Sequence, residues 1–167
     1  DVDRGLRAEQ KWLPSYLFYD RAGSALYEQI TELPEYYPTR TERGILAAHA
    51  RELVALAAQG SDARLAVVEL GAGTASKTTL VLSAVVAQQG ACTYVPIDVS
   101  PDALDEARAR IAAALPSVVV RPCVGRHEEA FGAIRALGPR RLVLFIGSSI
   151  GNFDDDDAVT LLRGVRL

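Results

Sequence analysis

The sequence holds little cysteine, no apolar run of membrane-spanning length and no dominant charge, and each shortage narrows what the chain can be. Among its 167 residues are two cysteines, Cys92 and Cys123. They are too few and too far apart for a metal-ligand pair, and both sit in apolar runs that read as strands. Buried free thiols in a reducing cytosol are expected, and no metal site. No apolar stretch approaches the ~20 residues of a membrane span, and the charged start Asp1-Val2-Asp3-Arg4 does not read as a secretory signal. A cytoplasmic chain with no membrane partner is the expectation. The 18 basic and 21 acidic groups leave a formal charge of -3, with neither sign gathered into a patch that would grip phosphate backbones. Nucleic acid is therefore not an expected partner. Against these shortages stands a hydrophobic content of 49%, which supports one folded domain with a real core.

Aromatic residues are unevenly placed. Five of the six tyrosines and the single tryptophan precede Glu42, and the remainder is rich in Ala, Val and Leu, so residues 1–60 are read as a separate helical segment. Leu26, Ile30 and Leu33 recur at helical spacing after Gly23-Ser24, with Ser24 expected to cap the helix and Pro34 to stop it. The chain then delivers Glu35-Tyr36-Tyr37-Pro38-Thr39-Arg40. From Thr41, an N-cap residue type with Glu42 and Arg43 in the first turn, the pattern predicts a helix to about Gln59, ended by Gly60-Ser61.

Across 61–167 the pattern changes. Apolar runs of strand length, Leu65 to Leu70, Thr93 to Asp98, Val118 to Val124 and Leu142 to Ile146, alternate with alanine-rich helical segments. Runs buried on both faces and joined by long crossovers predict a parallel sheet of about four strands with helices on each side, a doubly wound, Rossmann-like α/β fold. No internal repeat is present, and the acidic run Asp154 to Asp157 is the one biased segment.

The first strand runs into Gly71-Ala72-Gly73-Thr74-Ala75-Ser76-Lys77, with Gly71 and Gly73 where the backbone must turn tightly and let a ligand approach. The third glycine of the dinucleotide fingerprint is missing, which speaks against a dehydrogenase, and Glu69 lies two residues before the first glycine, as in methyltransferases. The second strand closes on Asp98, a carboxylate beside that turn that can accept both hydroxyls of a ribose. The helix after Gly73 offers its positive end, with Lys77 one turn in, to a carboxylate on the ligand. After the last strand, Gly147 and Gly151 keep the backbone open around Asn152 at the same sheet edge.

Several runs together carry a family resemblance. Phe18-Tyr19-Asp20, Gly23-Ser24 and Leu33-Pro34-Glu35-Tyr36-Tyr37-Pro38-Thr39-Arg40-Thr41-Glu42 lead into Glu69 to Gly73, Lys77-Thr78, Pro96 to Ser100 and Leu144 to Phe153. Over nearly the whole chain this is similar to the histidine-specific, S-adenosylmethionine-dependent methyltransferases of ergothioneine biosynthesis. The resemblance implies a class I methyltransferase fold and methyl transfer to the α-amino nitrogen of histidine, three times over, giving a trimethylated betaine. It further implies that Gly71, Lys77 and Asp98 hold S-adenosyl-L-methionine, and that Asn152 and Tyr36, or Tyr37 beside it, hold the amino acid; Gly73 joins the cofactor site and Gly147 the amino-acid site by their places in the two turns. Residues 1–60 would then contact the substrate and 61–167 the cofactor. No general base is assignable.

The chain departs from the family pattern after its third strand. Where Gly-Asp-Phe is usual, the aspartate receiving the adenine amino group, this chain reads Gly125-Arg126-His127. Arginine cannot accept a hydrogen bond, so adenine recognition passes to other groups, with His127 still able to stack on the ring. The family fold also continues beyond the point where this chain stops, at Leu167. Taken alone, the chain is expected to be a poor catalyst and to self-associate through the uncovered edge of its fourth strand. Two alternatives stand beside the main reading. One is a different acceptor, such as the prenylated tryptophan of related alkaloid enzymes; the other is a non-catalytic nucleoside-binding protein.

Overall fold

The computed structural model describes residues 1–60, 62–138 and 140–166, and the backbone alone at Glu128. Ser61, expected to end a helix and open the second segment, lies outside the described residues, as does Leu167. The described chain is a parallel sheet covered on both faces by helices and preceded by three further helices.

The opening segment contains α1 (Val2–Arg7), a 3-10 turn (Ser15–Phe18), α2 (Arg21–Thr31) and α3 (Tyr37–Ala57). The expected capping by Ser24 is corrected. Asp20 is the N-cap of α2, its Oδ1 accepting from the Gly23 amide at 2.7 Å, because a carboxylate three residues ahead reaches an orphan amide that Ser24, already inside the helix, cannot. The helix ends at Thr31, ahead of Pro34. α3 likewise starts four residues before Thr41, at Tyr37, since Pro38 in the first turn has its φ already set for a helix and loses no needed donor. It ends at Ala57 rather than Gln59, and Gly60 follows at φ +79°. Its buried stripe, Leu46, Ala50 and Val54, recurs every four residues and packs on the following helix.

From there β1 (Ala66–Leu70), α4 (Thr78–Gln89), β2 (Cys92–Asp98), α5 (Pro101–Ala114), β3 (Val118–Val120), β4 (Cys123–Val124), α6 (Phe131–Ala136), β5 (Arg141–Leu144) and α7 (Asp155–Arg166) alternate. The sheet has five strands, not four. The run Val118 to Val124 is broken in two because Pro122 has no amide to donate to the ladder, and both pieces pair with β2. The order is β3-β2-β1-β5, all parallel.

All five residues of β1 are buried, as a central strand requires. Alternate residues feed opposite faces: Val67 and Tyr94 pack with Val81, Val85 and Ile111 under α4 and α5. Val68, Leu70, Val95 and Ile97 pack with Ile134 and Leu161 of α6 and α7. Cys92 is buried as expected, whereas Cys123 is half-buried because it lies in the two-residue β4 near the edge; both are free thiols. The chain steps from β1 outward through β2 and β3, then returns to the other side of β1 with β5. The order therefore reverses between β1 and β5, where ligands of open α/β sheets bind.

Candidate functional site

A cavity of about 820 Å³ opens at that reversal, and every residue expected in the site lines it except Tyr37, the alternative to Tyr36. The turn after β1 supplies Gly71 at φ +67° and Gly73 at φ +51°, left-handed conformations that favour glycine. A Cβ on Gly71 would stand 3.6 Å from His127 Nε2 and 3.7 Å from Ser149 Oγ, so the glycine leaves the turn open to the cavity. The turn is held in place by the end of the next strand. Asp98 Oδ2 accepts from the Gly73 amide and Oδ1 from the Ser100 amide, both at 2.9 Å. Each carboxylate oxygen keeps a lone pair for a further donor.

Lys77 is the N-cap residue of α4 and not one turn into it, because Gly73 to Ser76 form turns before the helix begins. Its ammonium is paired with Glu42 of α3. Glu42 in turn accepts from the Gly147 amide at 2.8 Å, and Gly147, at φ +83°, lies in the turn after β5. Asn152 closes the 3-10 turn Ser149–Asn152 that follows, and its Nδ2 donates to Tyr19 Oη at 3.1 Å. Tyr36 meets Tyr27 edge-on, ring centroids 6.2 Å apart, and both line the cavity. Burial, and then Tyr36 beside it, raise the Tyr27 phenol above its ordinary range. Tyr37, the other candidate, is 67% exposed and lines a separate, smaller cavity of about 270 Å³.

The Arg126-His127 departure builds a different wall. The Arg126 guanidinium lies 5.3 Å from the Tyr16 ring and 3.5 Å from Asp1 Oδ2, toward the opening segment. His127 packs against Phe145 at 5.3 Å and Phe153 at 5.7 Å, and His127 and Phe153 line the cavity, forming an aromatic surface beside the glycine turn.

Sequence reasoning missed three groups. Tyr19 was visible only as part of a motif, and its partnership with Asn152 spans 133 positions. Glu42 reads in sequence as a first-turn helix acid, yet it is the sixth residue of α3 and reaches two turns of the sheet. Glu69 served as a marker of class, and the structure shows it 2% exposed, accepting from Thr78 Oγ1 at 2.6 Å and from the Tyr94 hydroxyl. Burial pushes its carboxyl up to about 7 against the pull of those two donors. Among the described residues no group of three or more His, Cys, Asp or Glu could hold a metal ion, and no helix is long and apolar enough to cross a membrane.

Residues 1–167 match the family described as histidine-specific methyltransferase, SAM-dependent. The chain belongs to this family. Within it, the chain is 45% identical over 152 residues to a histidine N-alpha-methyltransferase of Mycolicibacterium smegmatis, covering 91% of this chain and 46% of that protein. It is 41% identical to the Mycobacterium tuberculosis protein of the same name, with the same coverage. Ergothioneine biosynthesis protein 1 of Neurospora crassa is 34% identical over 91% of this chain and 17% of its own length. The chain thus spans about half the length of the histidine N-alpha-methyltransferases it matches.

Proposed function

We propose that this chain carries the cofactor site and part of the acceptor site of an enzyme that methylates the α-amino nitrogen of L-histidine, three times over. The observation that carries the reading is the cavity at the β1/β5 reversal, which the glycine turn, Lys77 and Asp98 line together with Gly147 and Asn152. The donor set fits S-adenosylmethionine: an ammonium for its carboxylate, a strand-end carboxylate for its ribose hydroxyls, and an aromatic surface for its purine. When bound, that cofactor supplies a methyl group on a sulfonium, activated for in-line displacement.

The chain's own task is positioning, which by itself accounts for much of the rate of such a reaction. In this reading Gly71, Gly73, Lys77 and Asp98 orient the cofactor, and His127 flanks the purine, with Arg126 at the edge of that subsite. Tyr36, Gly147 and Asn152 hold the amino acid. Residues 1–60 act as the substrate-contacting segment and 61–167 as the cofactor domain, in a cytoplasmic enzyme whose free thiols suit a reducing compartment. We extend the reading to the sheet edge at β5, which pairs on one side with β1 and offers the other to a second copy.

Calorimetric titration with S-adenosylhomocysteine tests this. Wild type is expected to bind, and Asp98→Ala to weaken binding by about tenfold or more, the cost of losing hydrogen bonds to a charged acceptor. Absence of binding to wild type, or equal binding to Asp98→Ala, overturns the reading.

A further inference from the structure

Lys77 and the Gly147 amide belong to different sides of the cavity, and one side chain touches both. Lys77 stands at the head of α4, after the glycine turn; Gly147 stands in the turn after β5 that leads to Asn152. Glu42 meets Lys77 with Oε2 and accepts from the Gly147 amide with Oε1 at 2.8 Å. The Lys77 side chain is 15% exposed and that of Glu42 29%, so the pair is screened far less than a surface ion pair. Gly147 faces Lys77 closely, an added Cβ reaching 3.4 Å from Nζ, and its φ of +83° is a left-handed conformation that favours glycine.

An ammonium has three donors, and Glu42 takes one. The others remain for a ligand carboxylate, so Lys77 can engage a ligand without releasing Glu42. Any adjustment of the ammonium toward that ligand is passed through a rigid, two-armed carboxylate to the Gly147 turn. We propose that Glu42 is a positioning residue that couples the cofactor and acceptor subsites, so that filling one sets the donors of the other. This rests on the methyltransferase reading. Glu42 itself touches neither ligand; its position on α3 makes the opening segment the frame against which both turns are registered.

The test is the ratio of S-adenosylhomocysteine affinities of the 167-residue chain with and without saturating L-histidine. In wild type histidine is expected to tighten binding by about tenfold, within the usual range of coupling between sites. Glu42→Gln keeps the size and the acceptor for Gly147 but removes the charge facing Lys77, and the ratio is expected to fall to about one. A merely structural role lowers both affinities by the same factor and leaves the ratio intact. In the unliganded chain, hydrogen exchange at the Gly147 amide should stay slow in Glu42→Gln and quicken in Glu42→Ala. An unchanged ratio in Glu42→Gln, or an unchanged Gly147 exchange rate in Glu42→Ala, overturns the proposal. Wild type that binds S-adenosylhomocysteine without any response to histidine overturns the coupling and leaves the cofactor reading standing, whereas wild type that does not bind overturns both.

Discussion

Glu69 sits under opposing influences: burial disfavours its charge, while Thr78 and Tyr94 donate to it. Burial is the larger, and the carboxyl is pushed from 4.5 in an unperturbed chain up to about 7. Between those values the folded chain holds a proton that the unfolded chain releases. The stability that Glu69 contributes is therefore complete below about pH 4.5 and falls as pH rises to about 7, by on the order of 3 kcal/mol. Urea unfolding at about pH 5 and about pH 8 should show this decline, and Glu69→Gln should flatten that part of it. An identical pH profile in Glu69→Gln would show that the carboxyl does not titrate in this window. The same acid lines the cavity beside Asp98, so its charge state also sets the field at the glycine turn.

At the scale of elements, short-range chemistry decides where helices begin, and close packing decides where they can sit. Asp20, Pro38 and Ser100 each open a helix by supplying an acceptor or a preset φ. Gly23 shows the packing constraint. A Cβ there would lie 1.8 Å from the Phe18 carbonyl oxygen, a backbone atom that cannot rotate away. Gly23→Ala therefore forces α2 off its seat and with it Tyr27 and Glu28, which line the cavity. The expected cost is about 2 kcal/mol of stability despite the better helix propensity of alanine, read as a lower urea midpoint. An unchanged or raised midpoint would mean that the segment rests on the domain more loosely than the structure shows.

At the scale of the whole molecule, the reversal of strand order between β1 and β5 brings the turns after these two strands together. It also leaves β5 with one neighbour among the described strands. Arg141 to Val143 are half-buried, and apolar Leu142 and Val143 stand beside an unpaired row of backbone donors and acceptors. The 167-residue chain is expected to self-associate increasingly with concentration in sedimentation velocity, and Val143→Lys to reduce this. A monodisperse monomer across the range would remove the β5 edge as an interface.

Alternation of apolar runs with alanine-rich segments was enough to read a parallel α/β sheet, because strands buried on both faces need crossovers and leave no polar face. The glycines, Asp98 and Asn152 were legible for the same reason: strand ends and tight turns demand particular residue types at short range. Short-range signals misplaced the caps at Ser24 and Thr41 and passed over Pro122, where competing local choices were settled by which acceptor or donor was in reach. What the sequence could not show was contact across long separations. Tyr19 with Asn152, Glu42 with Lys77 and Gly147, and Glu69 with Tyr94 are joined only once the sheet order is set. A charge or hydroxyl carries no mark in the chain of the distant partner that folding brings to it. Residue types and their local spacing determined the fold class, and the resemblance of whole motif runs pointed to the family; the tertiary structure alone decided which distant side chains meet.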